Sequence, residues 1–222
     1  PFGFSREARQ VTDATPDPDG KIYWSPDGRN IILERTNSKF LLDPNETTLQ
    51  GKLVNLTAKK LQDLQLEWAK QEDKKEEAQL KNLPEVVADI MARKTSNFQF
   101  SADQTKVLYT AKTEATIGDN LIPPLPGVST QKQERTIKNG QTYIYDIKED
   151  RNFLVSSGNE EVIKWFPTSR HVVIGDKSQI SVMEYDRTNK WAIWSGPYAM
   201  PNVFPTPQQD KIIILTNLGN SN

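Results

Sequence analysis

The chain contains no cysteine and a single histidine, His171, among its 222 residues. Without cysteine it has no disulfide, no thiolate metal ligand and no cysteine nucleophile. With one histidine, a zinc site built from protein alone would need several carboxylates, and neither a His-Glu-x-x-His stretch nor any paired-histidine spacing occurs. Ser-His-Asp chemistry would have to recruit His171, yet no Gly-x-Ser-x-Gly elbow is present, and no glycine loop has phosphate-cradling spacing. No apolar run is long enough to span a bilayer and no leader peptide is in view. The balance of 28 basic and 29 acidic residues lacks the positive excess of a nucleic-acid surface. The expectation is a chain without catalytic, cofactor or metal residues in this window, with protein partners and no nucleic acid.

What is present is a repeat. Tyr23 to Leu33, YWSPDGRNIIL, places β-rich residues on both sides of Ser25-Pro26-Asp27-Gly28, the turn chemistry of a hairpin. The stretches FSADQTKVLY from Phe100 and WFPTSRHVVI from Trp165 fall on the same frame, so that Val107 and Val172 follow their aromatic by seven positions as Ile31 follows Trp24. A fourth copy, PTPQQDKIII from Pro205, keeps the frame with its aromatic, Phe204, one position early. The anchors are 76, 65 and 40 residues apart. The first interval holds a helix-patterned stretch of about 36 residues (58–93) and the second a polar, proline-bearing stretch of about 25 residues within 112–139; removing them leaves a common period of about 40. Units of that length with up to four short strands are the sequence signature of propeller blades. The fold expected is all-β: a β-propeller of four-stranded antiparallel blades anchored near 24, 100, 165 and 205, with one helical and one loop insertion.

Strands are expected at Lys21 to Trp24, Asn30 to Thr36, Lys39 to Leu42 and Lys52 to Thr57 in the first unit. The second takes Asn97 to Phe100, Lys106 to Ala111, Gln141 to Ile147 and Asn152 to Ser156. The third takes Val162 to Phe166, His171 to Gly175, Gln179 to Tyr185 and Trp191 to Trp194. The fourth retains Asn202 to Phe204 and Lys211 to Thr216. Arg6 to Thr12 reads as the outer strand of a preceding blade, and the whole as part of a longer propeller. Trp24, Phe100 and Trp165 are expected to fill the space between adjacent blades.

The Ser-Pro-Asp-Gly hairpin, preceded by a strand ending in Val11-Thr12, resembles the repeat of TolB-type, WD-repeat-like propellers. The longer pattern of a charged helix, then NFQFSADQTKVLYTA, IPPLPG and YIYDIKEDRNFLV, is similar to the C-terminal region of bacterial PEGA-domain proteins. That resemblance implies a cell-envelope or extracytoplasmic location, with any membrane anchor supplied upstream.

His171 shares its repeat slot with Asn30, Lys106 and Lys211, which makes it a polar turn edge. Asp17 to Gly20 and Ser25 to Gly28 lack the distal ligands of a calcium loop and read as turns. Function then rests on the insertions. Thr57 can cap a helix whose Leu61, Leu64 and Trp68 share a face, while Pro84 opens a second helix with Val86, Val87, Ile90 and Met91 on its apolar side. These helices either buttress the propeller or form a partner-binding arm. In the second insertion, Leu121 to Gly127 favours polyproline II, the conformation that aromatic grooves bind. Alternatively, Ile122 and Leu125 pin the loop to its own sheet. Thr130 to Lys138 is polar and expected to be mobile. Candidate contacts are Trp68, Ile122, Pro123, Pro124, Leu125 and Pro126. The leading class is a non-catalytic interaction or scaffold propeller. The alternatives are an accessory propeller of a prolyl-oligopeptidase-like hydrolase, or a propeller that binds a glycan or small molecule.

Overall fold

The computed structural model describes residues 10–15, 20–158, 162–207 and 211–216. The chain is mostly β, in several antiparallel sheets of which none closes on itself among the described residues. It divides into two compact units, Pro1–Ala78 and Gln79–Asn222.

In the first unit, β1 (Lys21–Trp24), β2 (Ile31–Arg35) and β3 (Ser38–Leu42) form a meander. Ile31, Phe40 and Leu42 are buried on one face with Val11 and Leu53 packed against them. The fourth strand expected at Lys52 to Thr57 is reduced to a bridge between Phe40 and Asn55, because Gln50–Lys52 coils into a 3-10 turn. Asn55 then bonds Lys39 through its side chain, Oδ1 accepting from Lys39 N at 2.9 Å. Arg6 to Arg9 lie outside the described residues, as do Asp17 to Asp19; Thr12 forms a parallel bridge with Thr48. Helix α1 (Ala58–Leu80) starts where Thr57 Oγ1 accepts from Lys60 N at 3.3 Å and buries none of its residues fully.

In the second unit, α2 (Glu85–Lys94) runs directly into β4 (Thr95–Phe100), which pairs with β5 (Lys106–Ala111). Pro84 is the residue before the first helical position rather than the first itself. The chain then makes a small hairpin, β6 (Ala115–Thr116) with β7 (Thr136–Ile137), before β8 (Thr142–Asp146) and β9 (Arg151–Ser156) complete the second sheet in the order β4-β5-β8-β9. The third sheet is β10 (Val162–Trp165), β11 (His171–Gly175), β12 (Gln179–Glu184) and β13 (Trp191–Ser195). Two strands, β14 (Val203–Pro205) and β15 (Ile212–Ile214), form the fourth. No strand lies within 58–93.

The hairpin frame is kept in all four sheets. Trp24 pairs with Ile31, Phe100 with Val107, Trp165 with Val172 and Pro205 with Ile212, each at the turn end of its first strand. The turns share chemistry as well as spacing. Ser25 Oγ donates to Asp27 at 2.6 Å and accepts from Asn30 N, and Ser101 Oγ does the same with Asp103 at 2.7 Å and Lys106 N. The fourth residue after each anchor takes a positive φ: Gly28 at 70°, Gln104 at 57° and Ser169 at 59°. Only glycine adopts that conformation without steric cost.

Alternation along the strands gives each sheet two apolar faces. The second sheet sets Leu108, Ile144 and Val155 against Trp165, Val172, Ile174 and Met183 of the third. The third sets Val162, Val173 and Ile180 against Val203, Ile212 and Ile214 of the fourth. The opposite face of the second sheet, Val107, Tyr109, Tyr143 and Tyr145, is covered by Val87, Ile90 and Met91 of α2. The second helix is therefore a buttress, and it lies on the face that in the third and fourth sheets receives the preceding sheet. Trp165 and Phe100 are buried, but Trp24 is 57 % exposed, contrary to its expected packing role.

Candidate interaction site

The second insertion is an ordered structure, not a mobile polar loop. Ile137 is fully buried, Ile117 N donates to Arg135 O at 2.8 Å, and Glu134 N donates to Asn152 O at 2.7 Å. Its polar side chains converge on the β8–β9 turn. Asp150 Oδ1 accepts from Arg135 Nη1 at 2.9 Å and from Tyr145 Oη at 2.8 Å, while Oδ2 accepts from Leu121 N at 2.7 Å. Burial alone would raise the Asp150 pKa, but the Arg135 guanidinium, Tyr145 and the Leu121 amide outweigh it and hold the carboxyl below its usual range. Burial, reinforced by Asp150, pushes the Tyr145 phenol well up. Arg135 also reaches the carbonyls of Gly118 and Asp150.

The far end of the loop is tied at Ser129, whose N donates to Glu149 Oε2 and whose Oγ donates to Asp186 Oδ2, both at 2.9 Å. Between the anchors at Leu121 and Ser129, Pro123, Pro124, Leu125 and Pro126 are exposed and Ile122 is half-buried. Leu125 shows 47 % of its surface to solvent and so does not pin the loop. Proline rings and Leu125 are thus held out on a segment fixed at both ends by part-buried polar bonds. Nothing in the local sequence signals Arg135 or Asp150, because Arg135 reaches the turn only where Glu134 N bonds Asn152 O beside β9.

Trp68 belongs to the other unit. It is half-buried on α1 and, with Leu61 and Gln65, lines a hollow of about 340 Å³ whose other wall is Tyr23, Ile32, Glu34 and Lys39. Glu34 and Lys39 pair at 2.6 Å there, and the Lys39 bond lowers the Glu34 pKa. Leu61, Leu64 and Trp68 share their helix face, each partly buried, while Leu66 on the other side is exposed.

His171 is half-buried, with Nδ1 3.1 Å from Thr168 Oγ1, and stands opposite Glu184 across β11 and β12. The buried Lys106 lies 3.7 Å from Asp146 and over the Tyr185 ring at 4.6 Å, bonding the second sheet to the third. Among the described residues no group of three or more His, Asp or Glu is placed to hold a metal ion, and no helix is long and apolar enough to cross a membrane.

No protein-family model matches the chain, and no curated protein matches it in sequence. Solved structures similar to it include one assigned as TolB from Agrobacterium tumefaciens, with 13 % identity, a TM-score of 0.36, and coverage of 90 % of this chain and 70 % of that one. A second, assigned as a 6-phosphogluconolactonase from Bacteroides uniformis, has 10 % identity, a TM-score of 0.30, and coverage of 91 % and 51 %. Dipeptidyl peptidase 4 from Porphyromonas gingivalis has 11 % identity, a TM-score of 0.30, and coverage of 89 % and 31 %. The architectural reading of this chain accordingly rests on its own registers.

Proposed function

We propose that this chain is a propeller-type interaction module, non-catalytic in the region described, that binds a partner protein through the proline-rich segment Leu121 to Gly127. The observation that carries it is the exposed Pro123-Pro124-Leu125-Pro126 run held at both ends by Asp150 and Ser129. A proline-rich segment already fixed in place loses little entropy on docking, which is what an aromatic-lined groove exploits. The blades of the propeller are the hairpin-anchored sheets, supported by the common seven-residue register. The similarity of the sequence pattern to TolB-type propellers and PEGA-domain proteins favours the bacterial cell envelope as the setting.

A photo-crosslinking residue placed at Leu125 tests this in envelope extract. A specific adduct is expected that a synthetic Leu121 to Gly127 peptide competes away and that is lost when Pro123, Pro124 and Pro126 are replaced by alanine. The same adducts from the proline variant, or none from either, would remove the loop as the contact. Turnover of a peptide or glycoside by the purified chain, abolished by one carboxylate substitution, would remove the non-catalytic reading.

A further inference from the structure

Between α1 and the first sheet lies the hollow of about 340 Å³, with Leu61, Gln65 and Trp68 on the helix side and Tyr23, Ile32, Glu34 and Lys39 on the sheet side. All of these residues belong to the first unit. Protein interiors are close-packed, and facing apolar surfaces ordinarily interdigitate. In the second unit α2 does so, burying Val87, Ile90 and Met91 against its sheet. Helix α1 does not. Its Leu61, Leu64 and Trp68 share a face yet are each only partly buried, and Tyr23 across from them is 45 % exposed. The volume left between falls in the range of small-molecule sites, about 300–1,000 Å³.

The registers of the sheet arrange its side of the lining as two pairs. Tyr23 stands directly opposite Ile32, and Glu34 directly opposite Lys39. With Trp68, the first pair gives the hollow a ring on the sheet side and a ring on the helix side, walls suited to a flat apolar body. The second pair gives it an edge that both donates and accepts. Glu34 and Lys39 meet at 2.6 Å with 30 % and 34 % of their side chains exposed. The Lys39 bond, aided by the Tyr23 hydroxyl, outweighs burial and keeps the Glu34 carboxyl below its usual range, so it is ionised at neutral pH. A carboxylate has about four acceptor sites and an ammonium three donors, so each partner keeps capacity beyond the bond they share.

The charges narrow the class of ligand. Glu34 and Lys39 cancel, so a cation drawn to the rings would meet Lys39 and an anion drawn to Lys39 would meet Glu34. Lys21, opposite Glu34 on β1, is exposed and outside the lining. A charged ligand would therefore give up its water without gaining a free counter-charge. A neutral molecule with an N–H beside a C=O satisfies both partners at once, its N–H donating to Glu34 and its C=O accepting from Lys39. We propose that this hollow binds a neutral planar heterocycle of lactam or nucleobase type, lying between Tyr23 and Trp68 with its amide-like edge on Glu34 and Lys39. The site belongs to the first unit and does not depend on the proline-rich loop of the second.

Carbostyril, a bicyclic lactam, is a suitable probe, and its N-methyl derivative lacks only the N–H. Titrated into the intact protein, carbostyril is expected to shift the NMR signals of the Trp68 indole N–H and the Tyr23 ring, assigned with Trp68→Phe and Tyr23→Phe, with a Kd below about 1 mM. N-methylcarbostyril is expected to bind about tenfold more weakly, having lost the donor to Glu34. Glu34→Met should bring carbostyril down to the affinity of its N-methyl derivative and leave that derivative unchanged, a pattern that general loosening of the hollow would not produce. Three results would overturn the proposal. The first is no shift of Trp68 and Tyr23 with carbostyril. The second is equal affinity of the unaltered protein for the two compounds, which would make the hollow an unselective apolar gap. The third is tighter binding of naphthoate or naphthylmethylammonium than of carbostyril, which would make it a site for charge.

Discussion

The Trp165 indole Nε1 donates to the Gln99 carbonyl at 3.0 Å, tying the first strand of the third sheet to the first strand of the second. The ring itself is buried among Leu108, Ile144 and Val155. One residue thus supplies both apolar contact and a directional bond between successive sheets. Trp165→Phe should lose about 1 kcal/mol by removing the donor, whereas Trp165→Ala should cost about 3–5 kcal/mol through the cavity as well. Urea unfolding of the two variants separates the contributions, and no loss from Trp165→Phe would mean that the bond to Gln99 carries none of it.

The turn positions make a second comparison. Gln104 and Ser169 adopt the left-handed conformation that Gly28 fills in the first hairpin. Gln104 is exposed, so Gln104→Gly should stabilise by about 0.5–1 kcal/mol as strain is relieved. Ser169→Gly relieves the same strain but removes the Oγ that accepts from Asp103 N at 2.9 Å. It should therefore give no gain. Melting temperatures of the two variants check the contrast.

Asp103 gives the fold a dependence on acid. Burial pushes its pKa up, but bonds from Ser101 Oγ and from the Thr105 amide and hydroxyl outweigh that and hold it at about 2, against 3.8 for the unperturbed side chain. A folded pKa below the unfolded one contributes stability that is fully present above about 3.8 and disappears as pH falls through about 2. Asp103→Asn should flatten the loss of stability across that window and leave the slope near neutrality unchanged. Parallel denaturation curves at pH 5, 4, 3 and 2.5 test the sign.

The two helices should respond differently to truncation. Met91 is 1 % exposed against the second sheet, and Met91→Ala should cost about 2–5 kcal/mol. Leu66, on α1, is 55 % exposed, and Leu66→Ala should change stability by less than about 0.5 kcal/mol. Comparable losses would show that α1 is packed as tightly as α2.

The legible parts of this fold were those written in short windows. The seven-residue frame from Trp24 to Ile31 recurs because an antiparallel hairpin of fixed turn length fixes its own register. The start of the first helix followed from Thr57, whereas its end at Leu80 and the first position of the second helix did not. The exposure of Trp24 was not legible, since it holds the same frame position as the buried Trp165, and burial depends on what packs on the strand rather than on that position. Nor was the order in the second insertion. Thr130 to Lys138 looks like solvated loop, and becomes fixed because Arg135 meets an aspartate fifteen residues away and Glu134 pairs with Asn152. The Pro123, Pro124 and Pro126 run was recognisable as an extended segment from composition alone, but its rigid mounting on Asp150 and Ser129 was not.

The placement of α2 gives the sheets of the second unit a polarity. On one side Val87, Ile90 and Met91 seal the face of the second sheet, so any newcomer there would first have to peel a helix away from Tyr109 and Tyr143. On the other side Phe204, Ile213 and Leu215 stand about half or more exposed, on the face by which the second and third sheets each meet the next. Within this unit the helix thus closes the stack on one side of the second sheet, while on the other side the same succession of faces carries from the second sheet through the third to the fourth.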